Sequence, residues 1–130
     1  MRIVIGEGSC GIAAGAQKVR SALEALISDP IGSTGCIGMC YLEPIVDIYE
    51  GDTLLHRLVH VNEMYAQAIV EAVRSNDYSA LKRLFISEED ASFLEKQTRV
   101  ALGRCGVIDP TSIDDYIKHD GYKALDKALK

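Results

Sequence analysis

The sequence predicts an α/β (α+β) chain, with a small mixed sheet flanked by helices over residues 1–76 and a helical tail over 77–130. Three observations carry this. Short apolar runs and two helical patterns before residue 76 follow the order β-α-β-β-β-α. The polar stretch Ser75-Asn76-Asp77-Tyr78-Ser79 then interrupts the chain. Beyond it the sequence carries helix-start and helix-stop signals.

Arg2 to Ile5 reads as the first strand, ended by Gly6-Glu7-Gly8. A helix is expected from about Ala13 to Ser28, because Val19, Ala22, Leu23, Leu26 and Ile27 recur at three- and four-residue spacing. Asp29-Pro30 stops it, since the residue before a proline is pushed out of the helical region. Ile31 to Thr34 is a brief second strand. Ile45 to Tyr49 and Leu54 to Val61 flank Glu50-Gly51-Asp52-Thr53 as a hairpin. Asn62 is the expected N-cap of a helix to Ser75, with Glu63 favoured in its first turn and Met64, Ala68, Val70 and Val73 on its apolar face. In the tail, Ser87-Glu88-Glu89-Asp90 opens a helix to about Leu102, closed by Gly103 and Gly106. Asp109-Pro110 opens another, with Asp109 as N-cap, and Gly121 separates it from a last helix to Lys130. Three short helices with few aromatics make a poor core alone, so the tail is expected to fold against a partner chain.

Bulk composition narrows the function. A chain of 130 residues, 48% hydrophobic and 25% charged, supports one globular core and argues against disorder. Its net charge of −5, with no run of Lys or Arg, argues against nucleic acid or an anionic membrane surface as partner. The start MRIVIGEGSCG lacks signal-peptide character, and no apolar run approaches the roughly 20 residues of a membrane-spanning helix. The expectation is a cytoplasmic protein without membrane insertion. Thiols stay reduced there, and grouped cysteines more often bind metal or do redox chemistry than form structural bridges.

Three of the four cysteines lie before residue 41 in Gly-rich segments. Cys36-Ile-Gly-Met-Cys40 is a C-x3-C pair between strands. Cys10 sits in a separate loop, after the first strand and before the first helix, and both loops are expected at the same end of the sheet. Each iron of a [2Fe-2S] cluster is tetrahedral, with two bridging sulfides and two protein ligands, so two ligand pairs on two loops suit it. Gly8, Gly11, Gly35 and Gly38 would let the backbone approach and aim N–H groups at the sulfurs. Zinc on three cysteines and one further ligand also fits, as does a buried Cys10 packing as an apolar residue. A Cys36–Cys40 disulfide has the wrong spacing for the usual redox motif.

The stretch Gly8-Ser-Cys-Gly-Ile-Ala-Ala-Gly-Ala16, followed by Gly35-Cys-Ile-Gly-Met-Cys-Tyr-Leu-Glu-Pro-Ile-Val46, resembles the thioredoxin-like [2Fe-2S] ferredoxin domain. That domain occurs in the 24-kDa subunit of complex I. It also opens the flavin-bearing subunits of NADH-dependent and electron-bifurcating hydrogenases and formate dehydrogenases. Phe93 to Lys130 resembles the segment that introduces the flavin- and NADH-binding domain of those subunits. The resemblance implies a thioredoxin-like fold and a [2Fe-2S] cluster on Cys10, Cys36 and Cys40. It further implies an electron-transfer role, without catalysis of its own, within a hetero-oligomer of flavin- and iron–sulfur-containing oxidoreductase subunits. The complex would be NAD(P)H-linked and of the kind that includes electron-bifurcating enzymes. GEGSCG and GIAAGA match neither G-x-G-x-x-G nor a P-loop, so FMN or FAD and NAD(P)H are expected on partner subunits only.

One departure concerns the fourth ligand. The family pattern has two cysteines in the first loop, C-x4-C, where this chain has only Cys10; the place of the missing one falls near Gly6 or Glu7. Ser9 and Glu7 are the local oxygen donors and Cys105 is the only other thiol, so these three are the candidates. Glu43, before Pro44, is expected to shape the cysteine loop and keep its surface acidic. His56 and His60, evenly spaced on a strand, read as a surface pair; Asp114-Asp115 reads as a solvated helix start.

Overall fold

Four strands form one mixed sheet in the order β2-β1-β3-β4 in the computed structural model, which describes residues 1–130. β1 (Arg2–Gly6) lies at the centre because both its faces are apolar; Ile3, Val4 and Ile5 are all buried. β2 (Gly32–Thr34) pairs parallel with it, Val4 facing Gly32 and Gly6 facing Thr34. β3 (Val46–Glu50) pairs antiparallel on the other side, Ile3 facing Ile48. β4 (Thr53–Leu58) returns through the expected hairpin, where Gly51 takes the left-handed conformation at φ 57°. The parallel β1–β2 pair requires a crossover, which the first helical segment supplies.

That crossover differs from the single helix expected over Ala13–Ser28. It begins earlier, as α1 (Ser9–Ala14), breaks at Gly15, and continues as α2 (Ala16–Glu24). Gly15 sits at φ 108°, a conformation that ends a helix and that only glycine adopts without strain. Val19 and Leu23 are fully buried against the sheet, whereas Leu26 and Ile27 lie beyond the helix and Leu26 is exposed. α3 (Ala66–Ser75) covers the same face; a 3-10 turn over Glu63–Tyr65 precedes it, and Asn62 Oδ1 caps that turn by accepting the Met64 N–H. Ala66, Ile69 and Val70 form the inward stripe, and Met64 points to solvent.

The sheet-and-helix layer buries fifteen apolar residues, with Ile5, Leu23, Ile48, Leu58 and Ile69 fully enclosed. Each such side chain contributes about 1.5–3 kcal/mol relative to exposure. Beyond Ser75–Ser79, a 3-10 turn over Ser79–Leu84 carries Leu81 and Leu84 into this core. The Val59 N–H then donates to Leu84 O and the Ile86 N–H to Arg57 O, so the chain runs along the free side of β4. His56 stacks on Phe85, ring centroids 4.7 Å apart, while His60 lies past the end of β4 at φ 52°; the two do not form the surface pair expected.

No residue after Leu84 is buried. α4 (Glu88–Glu95) starts where expected, with Ser87 Oγ accepting the Asp90 N–H, but ends seven residues before Leu102 and gives way to turns. Asp109 caps a turn rather than a helix: its carboxylate accepts the Thr111 N–H, and α5 (Ile113–Lys118) is capped by Ser112. α6 (Lys123–Leu129) closes the chain after Gly121. No helix is long and apolar enough to cross a membrane.

Candidate metal centre

The C-x3-C loop is held by alternation. Ile37 and Met39 turn inward to a second small core with Leu42, Ile45 and Val59, which leaves Cys36, Gly38 and Cys40 facing the other way. A 3-10 turn over Cys40–Leu42 follows. The segment after it is clamped by the extension of β4, whose His60 N–H donates to Leu42 O and Val61 N–H to Pro44 O. The Glu43–Pro44 peptide is cis. Gly8 brings the other segment into register: a Cβ there would lie 2.9 Å from the Cys36 nitrogen, so only glycine permits this approach. Cys10 therefore stands on the first turn of α1, not in the separate loop expected, directly above the C-x3-C pair.

The three thiols converge, both segments standing at one end of the sheet. The sulfurs of Cys10, Cys36 and Cys40 all lie within 4.8 Å of one another, and those of Cys36 and Cys40 are 3.6 Å apart. Cys40 is exposed and the other two are half-buried, so the centre lies at the surface with one open side. Gly38, at φ 90°, aims its N–H at Cys36 Sγ over 3.2 Å. Burial works to raise the Cys36 thiol, but the Gly38 N–H and the neighbouring thiols of Cys10 and Cys40 outweigh it and hold Cys36 below its ordinary value. Cys10 is pushed up to about 12, first by burial and then by the adjacent thiols and Glu43. Of the thiols, Cys10 is thus the one that holds its proton most tightly without metal. A thiophilic metal would displace that proton and bind all three sulfurs.

The three fourth-ligand candidates are placed differently from one another. Glu7 is bound by Arg20, Ser9 is exposed, and Cys105 lies outside the thiol group. Sequence reasoning missed a carboxylate that touches one of the three thiols, Cys10, while lying outside the three-thiol group itself. Glu43 is buried, accepts the Ile45 N–H at 2.8 Å and faces Cys10 Sγ at 3.8 Å. Burial raises its carboxyl, against the lowering effect of the Ile45 N–H and the Cys10 thiol. It does not keep the loop surface acidic, because it points inward. The one signal available was its place three residues after Cys40 and directly before a proline; the 33-residue separation from Cys10 hid the contact.

A βαβ crossover feeding a four-stranded mixed sheet, with helices on one face and a three-thiol centre at one end, defines a thioredoxin-like chain with a candidate thiolate metal site. The solved thioredoxin-like [2Fe-2S] ferredoxin from Aquifex aeolicus is similar over 66% of this chain and 89% of its own, with a TM-score of 0.53 and 21% identity. The wild-type form of that ferredoxin in a second structure matches over 67% and 96%, with a TM-score of 0.52 and 22% identity. A cysteine-to-serine variant gives a TM-score of 0.54. The thioredoxin-like fold implied by the sequence resemblance is therefore borne out. The NADP-reducing hydrogenase subunit HndC of Solidesulfovibrio fructosivorans is 57% identical over 35 residues, which are 27% of this chain and 7% of that subunit's length. No protein-family model matches the chain.

Proposed function

We propose that this chain is an electron-transfer subunit that holds a [2Fe-2S] cluster on Cys10, Cys36 and Cys40. The observation that carries the reading is the convergence of three sulfurs within 4.8 Å from two segments 26 residues or more apart, in a fold shared with [2Fe-2S] ferredoxins. A cluster bound there supplies one-electron chemistry at a potential set by charge, hydrogen bonds and exposure. The chain's own residues provide that setting. Gly38 donates an N–H to Cys36, Ile37 and Met39 wall the inner side from water, and Arg99 donates to the Ile37 carbonyl and so ties the tail to the loop.

The short match to a hydrogenase subunit supports a place in a multi-subunit, NAD(P)H-linked oxidoreductase, with electron bifurcation as the more specific form of that reading. Flavin (FMN or FAD) and NAD(P)H would then belong to partner subunits in a cytoplasmic hetero-oligomer. The segment after Leu84 supports this: Phe93, Val100, Leu102, Val107, Ile113 and Leu129 are all more than half exposed. Such a row of apolar side chains suits contact with another subunit.

A second reading is favoured by the same closeness of the sulfurs, because a single tetrahedral zinc draws its ligands together in this way. The chain would then be a scaffold that assembles the complex. Anaerobic purification with quantitation of iron, acid-labile sulfide and zinc separates the two. The cluster reading predicts about two irons and two sulfides per chain and visible absorbance lost in Cys36→Ser and Cys40→Ser. Stoichiometric zinc without sulfide or colour overturns it.

A further inference from the structure

Three acidic side chains are withdrawn from solvent around the sheet, and two of them are neutralised in the obvious way. Asp47 is paired with Arg57 through hydrogen bonds of 2.8 and 2.7 Å, and Glu7 with Arg20. Glu43, only 7% exposed, has no Lys, Arg or His within 4.0 Å. A buried carboxylate without a cation is costly, so such groups are found protonated, paired or bound to metal.

The surroundings are shaped to hold that carboxylate where it is. A Cβ at Gly6 would approach its two oxygens to 3.1 and 3.2 Å, and one at Gly11 would come within 3.1 Å of Oε2. Oε2 accepts the Ile45 N–H, and Oε1 accepts the Cys10 S–H.

The spacing completes the case. A thiolate at about 2.3 Å and a second donor at about 2.0–2.3 Å on one tetrahedral metal stand about 3.5–3.8 Å apart. Cys36 and Cys40 sulfurs are 3.6 Å apart, and Cys10 Sγ is 3.8 Å from Glu43 Oε1. The Cys10–Glu43 pair thus has the ligand spacing of one metal ion, beside the close Cys36–Cys40 pair. We propose that Glu43 is the fourth ligand, binding through Oε1 while Ile45 holds Oε2. This rests on the cluster reading above.

The test uses the full chain, purified or reconstituted anaerobically, as wild type, Glu43→Gln and Glu43→Cys. Iron and sulfide content, iron-edge X-ray absorption and the electron paramagnetic resonance of the reduced state are measured on each. The expected result is an oxygen neighbour at about 2.0 Å in the wild type. It is lost in Glu43→Cys, whose shorter side chain ends at the Cγ position and cannot reach the oxygen's place, and the g values change. Glu43→Gln, which keeps an acceptor for the Ile45 N–H, retains iron about tenfold less tightly. A wild-type centre with sulfur neighbours only overturns the assignment whether or not the variants fold. So does an oxygen neighbour that persists unchanged in Glu43→Cys. Wild-type protein without iron and sulfide overturns the cluster reading itself, and the assignment with it.

Discussion

The guanidinium of Arg20 clamps the carboxylate of Glu7 through two hydrogen bonds of 2.9 and 2.6 Å, and the same group donates to the carbonyls of Ile31 and Gly32. One side chain on α2 thereby ties the segment after β1 to the start of β2. These are the two strands that lead into the cysteine-bearing segments. The pairing is bidentate and partly shielded, the geometry in which an ion pair does more than a surface one.

A pH dependence follows. Hydrogen bonding to Arg20 holds Glu7 below its ordinary value, against the raising effect of burial. A carboxylate lowered by folding stabilises the protein above the unfolded value, near 4.5, and loses that contribution as pH falls through the folded value. Glu7→Gln is expected to lower the urea midpoint at pH 7, with the gap to wild type closing by pH 3. Because Glu7 is engaged by Arg20, the visible spectrum of the metal-replete variant is expected to match wild type. A spectral change would return Glu7 to the ligand set.

Close packing around the site makes two glycines behave differently. A Cβ at Gly11 would overlap the Gly6 carbonyl oxygen, whereas one at Gly35 meets only Pro110 Cγ at 3.8 Å. Gly11→Ala is expected to cost about 1–3 kcal/mol or more, and Gly35→Ala to stay within about 0.5 kcal/mol. Urea denaturation of the two variants checks this; equal losses would contradict the packing described.

The two sides of Leu84 are also expected to differ. Leu81 is 1% exposed in the main core and Leu129 is 78% exposed. Leu81→Ala should cost about 2–5 kcal/mol, while Leu129→Ala should leave stability unchanged and, in the assembly proposed above, weaken only association with another subunit. A chain ending after Ile86 should keep the cooperative unfolding that a chain ending at residue 76 loses. Thermal denaturation of these forms reads the difference.

Local chemistry made much of this legible in advance. Asn62 and Ser87 could be recognised as caps because their side chains compete for nearby N–H groups. The β3–β4 hairpin was marked by Gly51 between alternating apolar runs. The thiol convergence followed from two glycine-rich segments at one end of a sheet. The break at Gly15 was not legible, because the apolar spacing runs straight through it. The burial of Leu81 and Leu84 is a tertiary event behind a polar stretch that looks like a linker. Glu43 was misread for a similar reason: only folding brings it to Cys10, since its neighbours in sequence suggest a solvent-facing loop.

The central claim is that two irons sit between α1 and the Cys36–Cys40 loop. Anomalous diffraction at the iron edge from anaerobically grown crystals tests it most directly. Two resolved iron peaks, with Cys36 and Cys40 on one and Cys10 on the other, are the predicted result. A single peak shared by all three sulfurs, or none, would contradict it.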